Sequence, residues 1–156
     1  MCLGVAGLGL SLTSVGAGAM PLKQNEPENV QLTNAAWDAY NRSDFEQAIK
    51  AADKCIDEFQ GDADRKQASL EGEHPTIPVG KVSKDEKKKI LANGVLNDVA
   101  TCFFIKGRSA ENLKRMDDAK QAYKAAAKYI YARTWDPKGW FWSPADAASD
   151  RLKRLE

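Results

Sequence analysis

Few residues of this chain have chemistry to offer. There is one histidine, His74, and it stands beside Pro75 in a stretch of loop composition. No second His or Cys lies at a spacing that would complete a metal site with it. Gly80-Lys81 looks like the end of a phosphate-binding loop, but no Gly stands five residues before Gly80 and Pro78 interrupts. Asp62 and Asp64 do not continue into a calcium loop, and no G-x-S-x-G elbow occurs. Asp117 and Asp118 fall at a helix start, where negative charge complements the dipole. Asn41-Arg42-Ser43 is a glycosylation sequon, of use only in a eukaryotic secretory path. The residues thus imply no catalytic constellation, no metal and no cofactor, and the reading is of a non-enzymatic protein. What remains is binding chemistry, carried by aromatic, amide and arginine side chains.

Charge narrows the partners. The formal net charge of the 156 residues is +1, which argues against work on nucleic-acid phosphates, since that needs a clear basic excess. Lys81, Lys84, Lys87, Lys88 and Lys89 form a local cluster. Asp85 and Glu86 interrupt it, as in a solvated helix start. Residues 1–19 carry no charge, are rich in Leu, Val, Gly and Ala, and end in Ala17-Gly18-Ala19. That is the pattern of a secretory signal peptide with a small-x-small cleavage site, although no basic stretch precedes it. Its five glycines and short length suit cleavage better than a membrane span. The expected mature chain is periplasmic or secreted, with no stable span. Cys55 and Cys102 are then its only cysteines. In an oxidising compartment they could form one disulfide; as residues of apolar helix faces they could equally be two inert buried thiols.

The hydrophobic periodicity is helical throughout, with no strand-like alternation. Residues 20–29 read as a flexible polar leader. A first helix is expected from about 30 to 41, with Leu32, Ala35, Ala36 and Ala39 on one face. Ser43 and Glu46 have capping-box spacing before a stripe of Phe45, Ala48, Ile49, Ala52, Cys55, Ile56 and Phe59, with Gly61 ending or bending the helix. Residues 71–83 contain two prolines and two glycines and read as loop. Ser83 and Glu86 form a second capping box ahead of one long helix, about 84–113, with Leu91, Val95, Val99, Cys102, Phe103, Gly107 and Ala110 on its stripe. A fourth helix is expected over 116–133, burying Ala119, Tyr123, Ala126 and Ile130. Asp136-Pro137-Lys138-Gly139 suits a type I turn. Ser143 then caps a last helix with Pro144 at its first position.

The chain aligns with itself at one constant offset, without gaps. Ala36 meets Gly107, Asn41 meets Asn112, Phe45 meets Met116, Ala48 meets Ala119, Ala52 meets Tyr123 and Cys55 meets Ala126. Each copy has a small residue in a first helix, a short turn, a large apolar residue, then small residues where the second helix crosses the first. This pattern resembles the tetratricopeptide repeat, a helix–turn–helix unit that stacks into a solenoid. The resemblance covers about 30–62 and 100–133, leaving 63–99 as an insertion with lengthened helices and a projecting loop. It has departures: Lys114 stands where a turn Gly is usual, Lys106 where Leu is, Ala39 and Ala110 where an aromatic is, and the closing Pro is absent.

The resemblance implies an all-α fold of two antiparallel helix pairs whose first helices line a concave, peptide-binding side. Thr33, Trp37, Tyr40 and Asn41 would lie there from the first copy, and Phe104, Arg108, Glu111 and Asn112 from the second. Trp and Tyr beside Arg make a suitable hot-spot composition. The implied partner is a protein or peptide of unspecified identity, and two repeats alone leave room for self-association. Residues 134–156 would form a C-terminal cap, with Trp135, Trp140 and Trp142 in its lead and Trp140 or Trp142 wedged under the last helix. An alternative is a cell-envelope carbohydrate-binding protein whose three tryptophans stack on sugar rings. Export gives a direct expectation: mass spectrometry of the native protein should find Met20 at the N-terminus, and an intact Met1 would exclude cleavage at this site.

Overall fold

The computed structural model describes residues 26–156. The expected signal peptide and most of the expected leader lie outside the described residues. Six helices run in the order α1 (Glu28–Asn41), α2 (Phe45–Glu73), α3 (Lys84–Leu91), α4 (Gly94–Asn112), α5 (Met116–Ala126) and α6 (Pro144–Arg154). A hairpin of β1 (Thr134–Asp136) and β2 (Trp140–Trp142) precedes α6. The chain is therefore mostly helical, as expected. Among the described residues no helix is long and apolar enough to cross a membrane.

α4 is the hub. It packs against α1, α2, α5 and α6, and the residues it buries include Leu96, Val99, Cys102, Phe103, Ile105, Gly107 and Ala110. The small residues of the repeat sit at the crossings: Ala36, Ala48 and Ala52 in the first pair and Gly107, Ala119 and Ala126 in the second are all buried. Gly107 is an extreme case. A Cβ there would stand 2.5 Å from Cε1 of Tyr123, so only glycine admits the ring.

The two interhelical turns repeat one backbone geometry at equivalent positions of the two copies. Ser43 and Lys114 both have positive φ, 62° and 64°. Asp44 N donates to Ala39 O, and Arg115 N to Ala110 O, each at 2.9 Å. This conformation displaces the first predicted cap. With Ser43 in the left-handed region, Asp44 becomes the N-cap and accepts from Gln47 N at 3.3 Å, so the Ser43–Glu46 box does not form. The second box does form: Glu86 N donates to Ser83 Oγ, and Ser83 N to Glu86 Oε2.

Elsewhere the periodicity misplaced boundaries. α1 begins within the expected leader, and α2 passes Gly61 and ends at Glu73, with His74 at φ 47° as its left-handed cap. The long helix expected over 84–113 is broken at Ala92 and Asn93. The amide of Asn97 donates to Ile90 O at 2.8 Å, where Asn93 N also donates, so the helix tightens and restarts. Ile90 then faces the core and Leu91 is 53% exposed. α5 ends early, and bonds of i to i+3 type follow: Tyr129 N to Ala126 O, and Ala132 N to Tyr129 O. The tighter winding buries Tyr129, whose hydroxyl donates to Asp64 at 2.7 Å, and turns Ile130 outward.

The expected projecting loop, 71–83, begins only at His74 and is pinned to the body. Gly80 and Phe141 exchange two backbone hydrogen bonds at 2.7 and 2.9 Å, a rung that extends the hairpin. Arg133 donates to the carbonyls of Ile77, Pro78, Ile130 and Ala132. The hairpin itself corrects the expectation of no strands. Its three-residue connection is closed by Gly139 N to Asp136 O at 2.9 Å, with Gly139 at φ 101°. Ser143 caps α6 as expected, accepting from Asp146 N at 3.1 Å. α6 folds back on α4 and α5. The ring buried in this corner is Phe141, 1% exposed, rather than Trp140, which is exposed. Replacing Phe141 by Ala should lower stability by about 3–5 kcal/mol, measured by denaturant unfolding. A loss under about 1 kcal/mol would show that the hairpin does not close the core.

Candidate functional site

α1 and α4 lie side by side, and their shared face brings together most of the residues singled out for binding. Trp37 and Tyr40 meet edge to face at 5.8 Å, and Tyr40 continues onto Phe45 at 5.5 Å. The Arg108 guanidinium stands 5.4 Å from the Tyr40 ring and 5.9 Å from that of Phe104. Trp37, Tyr40, Arg108 and Glu111 are half-buried, and Asn41 and Asn112 are exposed. The surface is therefore a mixed aromatic, cationic and amide patch.

Two expected members are not on the surface. Phe104 is 6% exposed because Trp142 of β2 packs on it at 5.1 Å and reaches Trp37 at 6.5 Å. Trp142 thus fills part of the face that the repeat resemblance leaves open. Thr33 is buried beneath it, with its hydroxyl 3.3 Å from Cys102 Sγ and 3.8 Å from Cys55 Sγ. Both cysteines are free, buried thiols in this structure, the second of the two alternatives that the sequence left open. The neighbouring Cys55 thiol, then burial, push the Cys102 thiol well above its ordinary range. It is no activated nucleophile.

The other two tryptophans lie apart. Trp135 pairs with Phe141 across the hairpin, while Trp140 and Trp142 occupy alternate positions of β2 and share the opposite face. Trp135 meets Phe141 edge to face at 4.9 Å and carries the Lys87 ammonium 3.8 Å above its ring. The three indoles do not form one platform.

Two grooves border these helices. One, about 420 Å³, runs between α2 and α5 with α4 as its floor. Its charges are largely paired: Lys106 with Asp53 at 2.6 Å, and Arg115 with Glu46 and Asp118. Lys106, the departure from the repeat pattern, is thus explained by Asp53. The other, about 210 Å³, lies at the end of the α1 and α4 face and is lined by Arg108, Glu111, Asn112, Lys114, Met116 and Arg151. Sequence reasoning missed Lys114 and Arg151 as site residues. Nothing in the local pattern says that α6 brings Arg151 to within 3.2 Å of Glu111.

Asp98 is the remaining chemically unusual group. Burial raises its pKa to about 6, partly offset by the Asn29 amide, which donates to its Oδ2 at 2.5 Å. It lines neither groove. Among the described residues no group of three or more His, Cys, Asp or Glu could hold a metal ion. Compared with protein-family models, with curated proteins and with solved structures, the chain matches none.

Because the folded pKa of Asp98 exceeds its ordinary value of 3.8, the fold favours the protonated acid. Its contribution to stability is full below about pH 4 and is lost as pH rises through about 6. Asp98→Asn should therefore raise stability at pH 8 by on the order of 1–3 kcal/mol and have little effect near pH 4. Melting curves at the two pH values check this; equal shifts at both would show that the carboxyl does not titrate in this range.

Proposed function

We propose that this chain is an exported, non-enzymatic interaction module with a tetratricopeptide-like arrangement, binding a protein or peptide on the face of α1 and α4. The observation that carries the reading is the cluster on that face: Trp37 and Tyr40 half-exposed, Arg108 over the Tyr40 ring, and Asn41 and Asn112 exposed at the helix ends. Large rings held by edge contacts lose little conformational freedom on binding, and a guanidinium stacked on a ring keeps its donors in place. The recurrence of one turn geometry at Ser43 and Lys114 supports the paired-repeat arrangement. The uncharged apolar start supports export. Trp142 makes the face shallower than an open stack of first helices, which favours an extended segment over a bulky domain.

The carbohydrate reading draws on Trp135 and Trp140, both more than a third exposed. They lie on opposite faces of the hairpin, so one sugar ring cannot stack on both.

Selection of peptides on immobilised residues 20–156 supplies the ligand for the test. Trp37→Ala should then weaken binding by about 2 kcal/mol, roughly 30-fold. Lys124→Ala, on exposed α5 surface, should leave binding unchanged. Circular dichroism melts identify any loss that comes from unfolding. Equal affinities for wild type and Trp37→Ala, with both folded, would sink the assignment of this face.

A further inference from the structure

The small groove at the end of the α1 and α4 face has an imbalance of charge. Arg108, Lys114 and Arg151 line it with a single carboxylate, Glu111. That carboxylate is already engaged on both oxygens. Tyr123 donates its hydroxyl to Oε2 at 2.7 Å, and Arg151 Nη1 donates to Oε1 at 3.2 Å. Arg108 and Lys114 have no acidic partner among the ion pairs of the described residues. Arg108 is held by the Tyr40 and Phe104 rings instead, which fixes its plane and leaves its hydrogen-bond fork unpaired by acid.

The fold does not require this charge. The first turn makes the same conformation with Ser43 where the second has Lys114, and Trp37 occupies the position of the first copy that corresponds to Arg108 in the second. At Lys114 a β-carbon in the left-handed region carries a steric penalty that glycine would avoid. Three cations from two helices and a turn converge there, and only Arg151 has an acid to match, Glu111. The groove, about 210 Å³, has room for a tetrahedral oxoanion.

We propose that this groove is a binding site for a phosphate- or sulfate-type oxoanion, gripped by Arg108 and Lys114 and completed by Arg151 of α6. Two guanidiniums match oxoanion geometry with paired N–H donors, and the lysine adds a point charge. The bound anion would tie the α4–α5 turn to α6. The site adjoins the binding face proposed above and would read an anionic group on its partner. It can also take the free anion, so it stands or falls separately from the peptide reading.

The probes are inorganic phosphate, sulfate and the monoester O-phosphoserine, titrated calorimetrically into residues 20–156 at constant ionic strength with chloride as balance. Saturable binding is expected, with Arg108→Gln and Lys114→Gly each weakening it by about tenfold or more. Lys114→Gly relieves the turn, so its loss of binding cannot be assigned to unfolding. Tighter binding of the monoester would indicate an anion carried on a larger ligand, and equal binding the free anion. Phosphate and sulfate also stabilise proteins by exclusion from their surfaces. A non-saturating effect, identical in wild type and both variants, would overturn the site. Peptides selected on the α1 and α4 face could still bind in that case.

Discussion

Tyr123 lies against the bare backbone of Gly107, and the geometry around α4 follows from that contact. A methyl group on residue 107 would meet the ring at 2.5 Å, so α4 and α5 approach more closely than two helices with ordinary side chains. The ring is fully buried, yet its hydroxyl finds Glu111 on the next turn of α4. Burial and that carboxylate hold the phenol above its ordinary pKa. Glu111 in turn holds Arg151, so one close helix crossing positions α6 as well. The opposite side of α4 repeats the logic with Ala36, Ala48 and Ala52, which admit α1 and α2. A helix packed against four others buries most of its circumference, and only Lys106, Arg108, Glu111 and Asn112 of its last two turns reach the surface.

That is why the sequence was readable where helices meet and unreadable where they end. Small residues at fixed spacing announced the crossings, and Ser83 and Ser143 announced their caps, because those signals are local. The break at Asn93 was hidden. It depends on the Asn97 amide reaching back to Ile90 O, and on Arg133 N donating to the other end of the same amide at 2.9 Å. The swap of Ile130 for Tyr129 depends likewise on Asp64, far away in sequence. Three-residue strands are too short to show alternation, so the hairpin left no pattern. Of the binding face, the repeat resemblance placed Trp37, Tyr40, Asn41, Arg108, Glu111 and Asn112 together. It failed for Thr33 and Phe104 because Trp142 and the two thiols arrive from other elements.

The polar groups divide by this architecture. Inside, single side chains satisfy backbone left unpaired by helix breaks, as Asn97 and Arg133 do. Between α2 and α5 the charges are paired off. On the α1 and α4 face and in the small groove beside it, Arg108 and Lys114 are presented without acids of their own.

The rung between Gly80 and Phe141 has a consequence for how the molecule is made. Both strands of this contact are useless alone: the loop 74–83 has its carbonyls aimed at Arg133 and its backbone at Phe141. A chain emerging from the ribosome at ~5–20 residues per second carries that loop unpaired for several seconds before position 141 exists. The helix pairs have local partners, and α2 packs on α4 without this rung, so they can assemble during that interval while the loop stays unpinned. Closure therefore belongs to the end of synthesis, when the last strand is delivered to a loop that has been waiting for it.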